Sequence, residues 1–200
     1  MKKLLLITIA LYSFLNADVA PGILRKYKNN IFICTHTGSC RNVEMALYAD
    51  FVYIYGIEED EVLANHAKLA ISSYIKYIKP KKFKKYFVYH GYPIELLPKV
   101  LRSIKEPATI LLNSYLPEID HPEKKNFILK ELANIKNHPI NTHTILIDYV
   151  HLAGTQHFGS ISLESIKKML LTINPGYKFR FEKGGHLRKE EKAILVAYLK

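Results

Sequence analysis

The sequence predicts an α/β fold: a mostly parallel sheet with helices on both faces and an antiparallel edge at its C-terminal end. Three observations point there. Short runs such as Ile31-Phe32-Ile33, Thr109 to Leu112 and Thr144 to Asp148 are almost wholly apolar, as expected of strands covered on both faces. Between such runs lie longer stretches whose apolar residues recur at helical spacing. The two kinds alternate along the chain with no internal repeat, low-complexity segment or heptad seam, which is the order of parallel strands joined by crossover helices.

Taken in order, Pro21 to Lys28 is a short basic helical entry, and Ile31 to Ile33 is a strand running into the polar turn Cys34-Thr35-His36-Thr37-Gly38-Ser39-Cys40. Arg41 to Ala49 carries Val43, Met45, Ala46 and Leu47 on an apolar side. Phe51 to Ile57 is a β-branched and aromatic strand ending at Glu58-Glu59-Asp60-Glu61, acids that suit the positive end of the following helix. That helix carries Val62, Leu63, Ala67, Leu69, Ile71 and Ile75. Pro80 to Lys85 is a basic connector, Tyr86 to Tyr89 a third strand, Ile94 to Ile104 a helix and Thr109 to Leu112 a fourth strand. A polar stretch with Pro117 and Pro122 precedes a helix from about Lys124 to Asn137. Thr144 to Asp148 is a fifth strand and Ser162 to Ile173 a helix. Tyr177 to Glu182 and Ala193 to Leu199 close the chain as two strands, with Lys183-Gly184-Gly185-His186 as a hairpin turn.

Ahead of all this, Met1-Lys2-Lys3 is a positive start, Leu4 to Leu15 a nearly unbroken apolar run, and Leu15-Asn16-Ala17 a small or polar site before a cut. Residues 1–17 therefore read as a cleavable secretory signal, with the mature chain starting near Asp18. The run is short for a bilayer span, which needs roughly 18 apolar residues or more. A periplasmic or secreted product is the expectation, and an uncleaved membrane anchor the alternative. Residues 18–200 have the length of one domain with its own core. Taking Lys2 and Lys3 from the formal charge of +11 leaves +9. An excess of that size suits an anionic surface or another extracytoplasmic protein. Its lysines gather mainly in Lys76 to Lys85, which reads as a solvated face, and nucleic acid is not an expected partner.

Cys34 and Cys40 are the two cysteines, too few for a disulfide framework. In an oxidising compartment they can close a short disulfide loop. The same stretch also spells Cys34-x-His36-x3-Cys40, three soft or borderline ligands suited to zinc or copper, with His66, His90 or His151 as a fourth. Inert thiols are the third reading. Asp148 and His151 follow the fifth strand three residues apart, so His151 is a candidate general base. No nucleophile elbow, phosphate-binding P-loop or paired-carboxylate spacing of a hydrolase occurs.

Several segments resemble, in order, a known family. Gly91-Tyr92-Pro93-Ile94-Glu95-Leu96-Leu97-Pro98 looks like its "GDS, then EVLP" segment, Ile110 to Tyr115 like "WLDGHY", Thr144 to Gly154 like "ILIDDARLFG", and Ile173 to Tyr177 like "L-x-P-x-Y". Over roughly residues 20–200 the chain thus resembles class I methyltransferases of the macrocin O-methyltransferase type. The resemblance implies a Rossmann-like sheet and S-adenosylmethionine as cofactor. It makes Glu58 the acceptor for the ribose hydroxyls, Gly38 part of the loop beside the methionine moiety, and Tyr92 the residue beside the adenine.

At its chemical positions the sequence departs from the family. The loop glycines fall on His36 and Cys40, whose side chains occupy space the cofactor needs. The acid of "GDS" becomes Tyr92, "LDG" becomes Leu112-Asn113-Ser114, and the "DD" pair becomes Asp148-Tyr149. One carboxylate and an amide make a poor site for a hard cation. A retained scaffold with a lost or rebuilt site is the expectation: a binding or interaction protein without a cofactor or metal, the alternative being an active, divergent S-adenosylmethionine-dependent methyltransferase.

Overall fold

A computed structural model describes residues 19–38, 40–113, 127–184 and 191–199. The expected signal at 1–17, Ser39, the polar stretch from 114 to 126, and residues 185–190 of the expected hairpin turn lie outside the described residues.

The elements run α1 (Pro21–Lys26), β1 (Ile31–Thr35), α2 (Arg41–Tyr48), β2 (Tyr53–Glu58), α3 (Glu61–Ile78), β3 (Lys85–His90), α4 (Pro93–Ser103), β4 (Ala108–Leu112), α5 (Phe127–Lys136) and β5 (Thr144–Ile147). Two 3₁₀ turns, Val150–Leu152 and Gln156–Phe158, lead to α6 (Leu163–Ile173), β6 (Lys178–Glu182) and β7 (Ile194–Tyr198). The seven strands form one sheet in the order β3-β2-β1-β4-β5-β7-β6. Every pairing from β3 across to β5 is parallel, and β7 runs antiparallel to both β5 and β6. The expected parallel sheet with an antiparallel C-terminal edge is therefore present. The last strand, however, inserts inside its predecessor, and β6 is the edge. Burial explains this: β7 buries Ile194 to Ala197, whereas β6 alternates exposed Lys178 and Arg180 with Phe179 and Phe181.

Side chains alternate between two cores. Ile31, Ile33, Ile57, Ile110, Leu112, Ile145 and Ile147 meet residues of α4, α5 and α6 on one face. Phe32, Cys34, Ile54, Leu111, Leu146 and Val196 meet α1, α2 and α3 on the other. Between Phe32 and Phe51 the ring centroids are 5.1 Å apart. Asp60 caps α3 by accepting from the Leu63 N–H at 2.9 Å, and Ser162 caps α6 by accepting from Ser165 N–H at 3.1 Å. Pro98 sits inside α4 and has no N–H for the carbonyl four residues back, at Ile94. Asn134 of α5 supplies the missing donor, its Nδ2 reaching Ile94 O at 2.8 Å. Among the described residues no helix is long and apolar enough to cross a membrane.

At the N-terminal ends of the strands, His138 and His143 form a buried pair, Nδ1 to Nε2, at 2.9 Å. The Ala108 N–H donates to His143 Nδ1 at 3.0 Å, so a neutral His143 carries its proton on Nε2 and donates it to His138. Burial, reinforced by His138, lowers the His143 pKa to about 4.

Candidate functional site

In open parallel sheets, ligands bind beyond the C-terminal strand ends, where the order reverses. Here that point lies between β1 and β4, and β1, β2, β4 and β5 end there at Thr35, Glu58, Leu112 and Ile147. The loop after β1 turns sharply: His36, Gly38 and Cys40 all have positive φ, at +54°, +51° and +69°. His36 and Cys40 carry the loop through a conformation glycine adopts at least cost, about 1 kcal/mol more favourably than other residues. Both are buried, and the His36 ring stacks on Phe127 at 6.5 Å.

The loop leans onto β2. Thr37 N–H donates to Ile57 O at 3.1 Å, and the Thr37 methyl lies 2.6 Å from where a Cβ on Gly56 would stand. Gly56 is thus required for this close approach. Glu58, only 4% exposed, fastens the arrangement. Its Oε2 accepts from the Gly38 N–H at 2.6 Å and from the Thr37 hydroxyl at 3.3 Å, while Oε1 accepts from the Asp60 N–H at 3.1 Å. Three of about four acceptor directions of the carboxylate are therefore used inside the protein.

The neighbouring strand ends are also engaged. Asn113 donates its N–H to Thr35 Oγ1 and its Nδ2 to His36 O, each at 3.3 Å, which ties the loop to the end of β4. Asp148 is 1% exposed and accepts from the Tyr149 N–H at 2.7 Å, with Tyr149 itself at φ +59°. His151 is exposed and meets the Tyr149 ring at 6.1 Å. Asp148 and His151, three apart in sequence, thus occupy different environments, one in the core and one in solvent. Tyr92 begins α4 half exposed, at 49%, with its ring outside the loop network.

Cys34 and Cys40 are both buried with free thiols, the third of the three readings. Cys34 Sγ lies 3.7 Å from Thr35 O and Cys40 Sγ lies 3.8 Å from Ala67 O, contacts that hold the sulfurs on separate partners. Burial raises the Cys40 pKa to about 12. Among the described residues no three His, Cys, Asp or Glu side chains converge as metal ligands, so the Cys34, His36, Cys40 set is not assembled. Of the proposed fourth ligands, His66 is exposed on α3 and His90 has its Nε2 3.1 Å from Glu59 O.

A nucleoside resting on these strand ends requires an open carboxylate at Glu58 and room over the loop. In this structure Glu58 is engaged by Gly38, Thr37 and Asp60, while the space over Gly38 is open. Sequence reasoning located Glu58 and the loop but not their mutual bonding, whose donors are mostly main-chain groups.

By sequence alone, no family model and no curated protein matches this chain. Its fold is that of known methyltransferases. An O-methyltransferase from Bacillus cereus, in complex with SAH, superposes with a TM-score of 0.59 at 14% identity, covering 99% of this chain and 90% of that one. The O-methyltransferase TomG from Streptomyces achromogenes, involved in tomaymycin synthesis and in complex with SAM, gives 0.53 at 14% identity, with 90% and 77% covered. An rRNA methylase from Streptococcus thermophilus gives 0.52 at 12% identity, with 90% and 94% covered.

Proposed function

We propose that this chain is an exported protein that reuses a methyltransferase-type fold for binding or interaction, without transferring a methyl group. The observation that carries the reading is Glu58. An acid meant for ribose hydroxyls has to present open acceptors, and this one is buried with its oxygens engaged by Gly38, Thr37 and Asp60. Export is consistent with it, since an extracytoplasmic compartment is not a source of S-adenosylmethionine.

Calorimetric titration of the purified chain with S-adenosylmethionine and S-adenosylhomocysteine tests the claim. No saturable heat up to millimolar ligand is expected, and micromolar binding abolished in Glu58→Gln would overturn it. Intact mass of the protein from fractionated cells tests the export half: a chain starting at Asp18 is expected, and a full-length cytoplasmic product is the contrary result.

A second reading, a divergent S-adenosylmethionine-dependent enzyme, draws on two specific points. The loop keeps glycine-like backbone at His36, Gly38 and Cys40. Two proteins of the same fold are complexes with SAH and SAM. The same titration decides between the readings.

A further inference from the structure

A concave feature lies at the opposite end of the strands, and its charge is the reverse of that at the C-terminal ends. A cleft of about 360 Å³ opens beside the N-terminal ends of β1 and β5, lined by residues that include Lys26, Lys28, Asn29, Thr144, Arg180 and Tyr198. Because β7 is antiparallel, its C-terminal residue Tyr198 reaches this same edge, opposite Lys178 of β6. Strands of five residues separate the two edges by roughly 15 Å.

The floor is built. Asn29 Nδ2 spans Thr109 Oγ1 at 3.3 Å and Thr144 Oγ1 at 3.4 Å, and Thr109 in turn donates to Tyr27 O at 2.8 Å. Rings of Tyr27 and Tyr198 lie 5.4 Å apart, tilted by 54°. Cations make the walls. Lys28 donates to Asp50 O, and burial lowers its pKa, opposed by Asp50 and reinforced by Lys82 and Arg25. Lys26 and Arg180 are turned to solvent, with side chains 41% and 59% exposed.

The acid that answers them is Glu182, and a single oxygen takes the load. Oε1 lies 2.5 Å from Lys26 Nζ, 2.5 Å from the Tyr27 hydroxyl and 3.3 Å from Arg180 Nε. Burial would raise the Glu182 pKa, but the bonds from Lys26 and Tyr27 outweigh it and the net shift is downward. A lysine ammonium has three N–H donors and a guanidinium five, so one carboxylate oxygen leaves most of the donors of Lys26 and Arg180 for another acceptor. An oxyanion with several acceptor oxygens matches that surplus, and a guanidinium suits it by its forked geometry.

We infer that this cleft is a binding site for a phosphoryl group, held by Lys26 and Arg180 over the floor of Asn29 and Thr144. The site is independent of the C-terminal edge and of any reading of Glu58. An incoming phosphate competes with Glu182 for the same two cations, which gives the site a signature that a merely basic surface lacks.

The test is calorimetric titration of the purified chain with inorganic phosphate and with glycerol phosphate at about 50 mM salt, each against sodium chloride of equal ionic strength. Saturable binding is expected, weakened at least tenfold in Arg180→Gln and in Lys26→Gln, and tightened in Glu182→Gln. Lys76→Gln, in the basic run on α3, should leave it unchanged. Circular dichroism confirms that each variant is folded. Phosphate heats that match sodium chloride, or that survive Arg180→Gln, overturn the proposal. Vesicles containing phosphatidic acid separate the sources of the phosphoryl group. Phosphate binding together with sedimentation that is lost in Arg180→Gln assigns a lipid headgroup to the cleft, and phosphate binding without sedimentation assigns a soluble ligand. Sedimentation indifferent to Arg180→Gln, with no phosphate binding, assigns the attraction to diffuse charge and refutes the site.

Discussion

The two edges of one sheet use charge in opposite ways. At the C-terminal edge, Glu58 and Asp148 are 4% and 1% exposed and accept main-chain N–H groups, so their charge holds the protein together. At the N-terminal edge, Lys26 and Arg180 stay in solvent with donors to spare. A buried acid surrounded by donors costs a great deal to remove, whereas an exposed cation costs little. Stability measurements and binding measurements should therefore separate cleanly between the two edges.

The largest effect should come from Glu58→Ala, which strands the Gly38 and Asp60 N–H groups and the Thr37 hydroxyl. A loss of about 2–4 kcal/mol in urea unfolding is expected, and a loss below about 0.5 kcal/mol would show the acid to be open to ligands instead. Acid comes next. The folded protein protonates His143 only near pH 4, the unfolded chain near 6.5. Between those values the unfolded state binds more protons, so stability falls as pH drops from about 6.5 to 4 and this contribution is fully present above that window. Its size is about 3 kcal/mol, and His143→Asn should flatten urea midpoints across the window.

Gly56→Ala drives a Cβ into the Thr37 methyl and should cost about 2 kcal/mol. Thr37→Ser, which keeps the hydroxyl on Glu58, should recover much of that in a double-mutant cycle. A Cβ at Gly38 meets nothing within 4 Å, so Gly38→Ala isolates the cost of φ +51° at about 1 kcal/mol. Arg180→Gln should fall within about 0.5 kcal/mol of the parent while altering phosphate binding, and a large destabilisation there would erase the contrast between the edges.

Much of the fold was legible because parallel strands covered on both faces must be apolar at their centres, as Ile31-Phe32-Ile33 and Ile145-Leu146-Ile147 are. The insertion of β7 was present in the sequence as a contrast. Ile194-Leu195-Val196-Ala197 is continuous, while Lys178-Phe179-Arg180-Phe181-Glu182 alternates like an edge strand. Glu58 was visible because an acid ends a β-branched run, yet its partners are main-chain groups that no residue pattern reports. The His138 and His143 pair escaped notice because its meaning lies in a bond between rings across a turn at Pro139. The cleft escaped because Lys26 and Arg180 come together only through the position of the last two strands. Cys34 and Cys40 stayed open among three readings because spacing alone does not say that Cys34 lies within β1 and Cys40 just ahead of α2.

The backbone of the loop after β1 outlasts its side chains. His36 and Cys40 sit where the chain turns left-handed, and a glycine at either place would follow the same path with less torsional cost. A change of chemistry at this corner therefore needs no new loop. His36→Gly would clear the space beside Phe127 without redirecting the chain, so a filled corner can become an emptied one in a single step.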